Sequence, residues 1–184
     1  MSERNIPPTG PVLLAPNHRS DIDPVVMAAA VPRRCTFLAA AELLTRPILG
    51  PLIRPFRVVS VQRGRFDRDA IEESLRRLER GEALVVFPEG TIGAGGSPQP
   101  AQDGLSFLAI RAHVPIIPVA ITGTHEVWPS GTRLPRRGKI IVHFGQAIVP
   151  TPAATRRDRS ALTARVTAAI TALMRQASMP QGPL

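Results

Sequence analysis

The sequence predicts an α/β layered fold, on three observations. Short apolar runs of strand length recur along the chain: "PVLLA" (11–15), "TFLAA" (36–40), "ALVVF" (83–87) and "PIIPVAI" (115–121). Segments with helical spacing of apolar residues lie between them and close the chain. Gly, Pro and Asn punctuate the joints, where turns are expected. Such alternation builds a sheet layered with helices, and chemistry then sits on the loops that follow strands.

The elements follow in order. Residues 11–15 read as a buried strand between Gly-Pro and Pro-Asn. Residues 24–30 read as a helix with Pro24 at its first position and Asp23 as N-cap. Residues 36–40 read as strand, 41–53 as broken helix and 57–61 as strand. The clearest helix is 66–81: Asp67 caps it, Ile71, Leu75 and Leu78 form its apolar stripe, and Gly81 ends it. Glu72–Arg76 and Glu73–Arg77 stand at i,i+4 on its surface. Next come a buried strand at 83–87, a helix at 104–113 and a strand at 115–121. Pro118 inside that strand suggests an edge or an irregularity. Residues 139–145 alternate as a strand. In 156–177, Leu162, Val166, Ile170 and Leu173 share one helical face, which reads as a helix closing the core.

The chain has 184 residues, a length that suits one domain over 1–184. Hydrophobic residues at 43% against 20% charged exclude a disordered chain. The net charge of +9, mostly arginine, favours anionic partners: nucleic acid, anionic lipid or phosphorylated small molecules. Nucleic acid has no support beyond charge, since aromatics are sparse and no binding motif is present. The N-terminus shows no apolar signal region, and the longest apolar stretch, 36–53, is cut by Glu42, Arg46, Pro47, Gly50 and Pro51. That stretch is expected to be mostly buried. A single cysteine, Cys35, excludes an internal disulfide. It reads as a small buried side chain, or as a thiol whose pKa Arg33 and Arg34 lower.

The stretch "LLAPNHRSDIDP" (13–24) places His18 just past a strand and Asp23 at the start of a helix. On one continuous helix the two side chains would diverge, because five residues is far from a whole number of turns. Across a strand-to-helix turn, Asp23 can hold one imidazole nitrogen while the other faces a cleft. Two readings are open: a base held by its orienting acid, or a turn histidine beside a helix cap. No nucleophile completes a triad. Ser20 is too close in sequence, and there is no G-x-S-x-G. A catalytic His18 would therefore activate a substrate hydroxyl directly. In "VVFPEGTIGAGG" (85–96) a buried strand runs into Pro88-Glu89-Gly90-Thr91, where Gly90 allows close backbone approach to a ligand. In "VQRGRFD" (61–67), Arg63 and Arg65 are either solvated or a phosphate clamp. The four histidines have no metal-ligand spacing, so no metal is expected.

Taken in order, these pieces resemble the glycerolipid acyltransferase family, whose best-known members are lysophosphatidate acyltransferases. "NHRSDID" (17–23) matches the N-H-x-x-x-x-D motif, "VQRG" (61–64) resembles the second motif and "FPEGT" (87–91) matches the third. "VPIIPVAITGT" (114–124) resembles the fourth, and "VHFGQAI" (142–148) the late strand. The resemblance covers roughly residues 6–175. It implies an α/β fold with a mixed, curved central sheet flanked by helices. His18 and Asp23 take the catalytic places; Asn17, Ser20, Arg63, Glu89, Gly90 and Thr91 fall at the substrate, with Arg63 on its phosphate.

The reaction implied is acyl transfer from acyl-CoA or acyl carrier protein to a lysophospholipid hydroxyl, above all 1-acylglycerol-3-phosphate, giving phosphatidate. No cofactor or metal is implied, and the setting is the cytoplasmic, inner face of an anionic membrane. Two departures bear on the acceptor. Ile92 stands where the third motif usually continues with arginine, and Gln102-Asp103 stand where a lysine often precedes a glycine. Both usual cations are associated with the acceptor's phosphate. Arg57, Arg65 and Lys139 are alternative ligands for it. The alternatives keep acyl transfer with another acceptor, glycerol-3-phosphate or another lysolipid, or make the chain a non-catalytic anionic-membrane or nucleic-acid binding module. Thiol release from acyl-CoA separates the enzyme readings from the binding module.

Overall fold

A computed structural model of the chain describes residues 5–45, 49–53, 56–62, 67–93, 97, 99–129, 132, 134–151 and 155–178. The strands are β1 (Val12–Pro16), β2 (Cys35–Ala40), β3 (Arg57–Val61), β4 (Ala83–Val85), β5 (Ile116–Thr122) and β6 (Ile141–Phe144). The helices are α1 (Asp23–Ala30), α2 (Leu49–Ile53), α3 (Arg68–Glu79), α4 (Gly104–Ala112), α5 (Thr124–Val127) and α6 (Arg156–Ser178), with a 3₁₀ turn at Ala41–Thr45. The six strands form one sheet in the order β3-β2-β4-β1-β5-β6. All neighbours are parallel except β5 and β6, which run antiparallel. The expected mixed α/β sheet is therefore present.

Successive residues of a strand face opposite sides, so the central strands, buried on both faces, are apolar throughout. Val12 and Leu14 of β1 join Met27 of α1, Phe37, Val85, Ile117 and Val119 in one cluster. Leu13 and Ala15 face the other way, into a cluster with Leu78 of α3, Leu105 and Leu108 of α4, and Leu162, Val166 and Ile170 of α6. The sheet thus lies between α1 on one face and α3, α4 and α6 on the other. The α6 stripe closes the core as its periodicity predicts. Thr36, Phe37, Ala40 and Ile53 are buried, but no residue of Ala41–Thr45 is, so the expected burial of 36–53 holds only in part among the described residues.

Several local expectations need correction. Asp23 is not the N-cap of α1 but its first residue; Ile22 precedes it, without a side-chain cap bond. Its carboxylate reaches upstream instead, to the loop amides described below. Glu72 is bonded by Arg68 rather than Arg76, which turns to Glu73, while the expected Glu73–Arg77 pair is present. Asp67 does cap α3, accepting from the Ala70 N–H. Strand β4 ends at Val85, although the Val86 N–H still donates to the Leu14 carbonyl. Strand β5 is interior despite Pro118. The Pro115 and Val119 carbonyls face β1, accepting from Leu13 and Asn17. Alternation turns Pro118 away from β1, to where the β6 ladder has ended at Phe144 and the chain returns at the Ile116–Ile148 bridge.

Candidate active site

The loop after β1 carries the catalytic candidates, and three tethers shape it. Asn17 stands in for a further strand residue. Its Nδ2 donates to the Ile121 carbonyl (2.9 Å), its Oδ1 accepts from the Ile121 N–H (2.7 Å), and its own N–H donates to the Val119 carbonyl (3.3 Å). Ser20 is fully buried, and its Oγ donates to the Trp128 carbonyl just past α5 (2.8 Å). That turn depends on Gly123, at φ 88°, where a Cβ would overlap the Lys139 carbonyl. The third tether is Asp23. Its Oδ2 accepts from the N–H groups of Arg19 (2.7 Å) and Ser20 (2.8 Å), and pairs with His18 Nδ1 at 2.9 Å.

This geometry supports the reading of His18 as a base held by its orienting acid. Asp23 is completely buried, and its carboxylate holds the imidazole as well as the turn. With the carboxylate as acceptor, Nδ1 carries the proton and Nε2 keeps a lone pair. Nε2 has no protein partner among the described residues, and the His18 side chain is 10% exposed. The Phe87 ring packs beside the imidazole, centroid to centroid 4.2 Å. An oriented base with one open nitrogen at the end of a parallel strand can take a proton from a bound hydroxyl.

The third motif meets this loop from β4. The His18 N–H donates to Glu89 Oε1 (3.0 Å), and the Gln99 N–H donates to Glu89 Oε2 (2.7 Å). Glu89 therefore ties the histidine loop to the stretch that follows the third motif. Gly90 has φ 67°, a left-handed conformation that glycine tolerates best; a Cβ there would also stand 3.0 Å from Gln102 Nε2. Thr91 is exposed. Pro88 and Glu89 border a cavity of about 540 Å³ against Thr167, Ile170 and Met174 of α6. On the other side Phe87, Pro88, Gly90 and Thr91 border a second cavity, of about 590 Å³. Leu38, Val61, Ile71 and Leu108 give that cavity an apolar wall.

The structure brings Asn17, His18, Ser20, Asp23, Glu89, Gly90 and Thr91 to one end of the sheet. Arg63 and Arg65 lie outside the described residues, although Gln62 and Asp67 line the 590 Å³ cavity. Arg57 is corrected as a phosphate ligand. It opens β3 at the opposite end of the sheet and pairs with Glu82 at 3.2 Å. Cys35 opens β2 at that same far end, and burial pushes its thiol up to about 11 against a smaller lowering by Arg33. It is therefore not an activated nucleophile. Sequence reasoning missed the Phe87 ring against His18, whose only trace was the aromatic opening "FPEGT". It also missed Arg156 and Arg159, which line the 590 Å³ cavity from α6 and belong to the basic run "RRDR" (156–159).

The fold is that of an acyltransferase domain, and it holds the paired His18–Asp23 at the end of β1. The acyltransferase family profile matches residues 1–122, and the chain belongs to that family. Among its relatives, a 1-acyl-sn-glycerol-3-phosphate acyltransferase from Limnanthes alba is 31% identical over 131 residues, 70% of this chain and 47% of the relative. The alpha form from Homo sapiens is 31% identical over 178 residues, 95% of this chain and 62% of the relative. The chain thus spans less than two thirds of the length of these relatives. A crystal structure of the 1-acyl-sn-glycerophosphate (LPA) acyltransferase, PlsC, from Thermotoga maritima superposes with a TM-score of 0.81 at 24% identity, over 100% of this chain and 73% of that one. That likeness is one of fold.

Proposed function

We propose that this chain transfers a fatty acyl group from an acyl thioester to the hydroxyl of a lysophospholipid, with 1-acylglycerol-3-phosphate as acceptor and phosphatidate as product. The observation that carries the reading is the 2.9 Å pair between His18 Nδ1 and buried Asp23 Oδ2, with the His18 ring packed on Phe87, which borders the 590 Å³ cavity. The names of the relatives support the acceptor. In the reaction, His18 Nε2 takes the acceptor's hydroxyl proton as its oxygen attacks the thioester carbonyl carbon. The tetrahedral oxyanion collapses, the carbon–sulfur bond breaks, and the thiolate takes the proton back from Nε2. One ester and one thiol result. Asp23 stabilises the transient imidazolium, and no protein nucleophile is needed. Acyl-CoA and acyl carrier protein both offer this thioester, and acyl-CoA is the donor to test first.

Peripheral attachment to an anionic membrane belongs to the same proposal. The net charge is +9, and no helix among the described residues is long and apolar enough to cross a bilayer. The test is purified protein with acyl-CoA and a panel of acceptors, read by thiol release and product mass spectrometry. Phosphatidate formed only with lysophosphatidate present is the expected result. Thiol release without any acceptor would make the chain a thioesterase, and no release would leave a binding module.

A further inference from the structure

The 590 Å³ cavity is not apolar throughout. Arg156 and Arg159, three residues apart at the start of α6, line it together with Gly90, Thr91 and Gln102. Residues three apart on a helix project to the same side. The Arg159 guanidinium carbon stands 5.8 Å over the Phe107 ring, which fixes the side chain. Its Nε is buried and has no hydrogen-bond partner among the described residues. Neither arginine has a carboxylate within ion-pair distance among the described residues. Two carboxylates also border the cavity, and each is engaged elsewhere. Asp67 accepts from the N–H groups of Gln62 and Ala70, and Asp103 accepts from the hydroxyls of Ser160 and Thr163. Two guanidinium groups that line one cavity without a carboxylate partner favour an anion there. The positive end of the long helix α6 lies at the same place and favours the same charge.

We propose that Arg156 and Arg159 form a phosphate-monoester subsite and that the acceptor's phosphate occupies it. The assignment rests on the acyl-transfer reading for its biological occupant, but not for the anion site itself. A phosphate monoester presents several oxygens that planar guanidinium forks can bond in pairs. The apolar wall of the same cavity accommodates the rest of an amphipathic ligand. Phe87 lines this cavity and packs on His18, so the subsite and the base share one side chain. The reading also places cations beside a third motif that carries Ile92.

The experiment compares the wild type with Arg156→Gln, Arg159→Gln and the double variant. Binding of glycerol 3-phosphate is measured by calorimetry at low salt, and transfer kinetics with lysophosphatidate and with its phosphate-free counterpart, monoacylglycerol. The double variant is expected to weaken glycerol 3-phosphate binding by about 10- to 150-fold. It should raise the lysophosphatidate KM by a similar factor and leave the KM values for monoacylglycerol and acyl-CoA near wild type. Unchanged glycerol 3-phosphate binding in the double variant overturns the subsite. A rise in the acyl-CoA KM alone overturns the acceptor assignment and gives the arginines to the donor's phosphates. Arg159 packs on Phe107, so its variant is also checked by thermal melting. If that variant unfolds, exposed Arg156→Gln decides, and unchanged binding there overturns the proposal. A wild type that binds glycerol 3-phosphate but transfers no acyl group defeats the acyl-transfer reading while leaving the anion site standing.

Discussion

The backbone N–H of His18 donates to Glu89 Oε1 over 3.0 Å, joining two loops whose residues stand 71 apart in the chain. Glu89 also holds the Gln99 N–H, so one side chain fixes the histidine loop and the stretch beyond the third motif. Glu89→Ala removes both acceptors at a site only 9% exposed. An orphaned buried N–H costs about 1–3 kcal/mol, so the variant should lose on the order of 2–4 kcal/mol in denaturant unfolding. It should also lower kcat, because His18 loses its anchor. Unchanged stability would show that water replaces the carboxylate.

His18→Ala should reduce transfer by about 10²- to 10⁴-fold with little change in melting temperature. Its side chain sits on a loop and adds little to the core clusters. Asp23→Asn keeps an oxygen for the Arg19 and Ser20 amides but loses the charge that stabilises imidazolium. It should therefore be slow yet folded. Asp23→Ala should be slow and unstable, since both amides lose their acceptor. Folded His18→Ala protein with wild-type turnover would end the catalytic reading.

At the far end of the sheet, Glu82 accepts from the Thr36 hydroxyl at 2.6 Å and pairs with Arg57 and Arg77, linking β2, β3 and α3. Burial raises its pKa, but the Thr36 hydrogen bond and the Arg77 and Arg57 charges outweigh that, and the net direction is downward from 4.5. A depressed folded pKa gives stability that is full above the unfolded value and lost as pH falls through the folded one. Glu82→Gln should thus be less stable than wild type at pH 7, and the difference should shrink below about pH 4. Melting temperatures across pH 3–7 measure this. A pH-independent difference would make the role one of packing.

Vesicle binding tests the surface charge. Each basic residue near an anionic surface contributes about 1 kcal/mol, screened by salt. Co-sedimentation with anionic vesicles should be strong at low salt and fall at high salt. Equal binding to neutral vesicles, insensitive to salt, would point instead to apolar insertion.

Much of the layering was legible locally because strands buried on both faces are apolar runs, and helices carry stripes at a different period. "PVLLA" and the stripe Leu162–Val166–Ile170 needed no knowledge of their neighbours. The position of β5 did not read the same way. Pro118 argues for an edge or an irregularity, and only the ending of the β6 ladder at Phe144 shows that it is the second.

The site divides along the same line. Residue order by itself determined that a histidine follows the first strand, that an acid stands five residues later, and that Glu89-Gly90-Thr91 follows another strand. Those are short-range facts, set by spacing along one chain. Tertiary structure decided what each polar atom does. The Asp23 carboxylate turns back to Arg19, Ser20 and His18 rather than capping α1. The Asn17 amide pairs with Ile121, 104 residues away, and Glu89 reaches the His18 amide. Arg156 and Arg159 arrive at the third motif from a helix that the sequence shows only as a core-closing stripe. A buried donor or acceptor takes whichever partner the packed elements bring within about 3 Å, and that partner is set by the fold rather than by sequence neighbours.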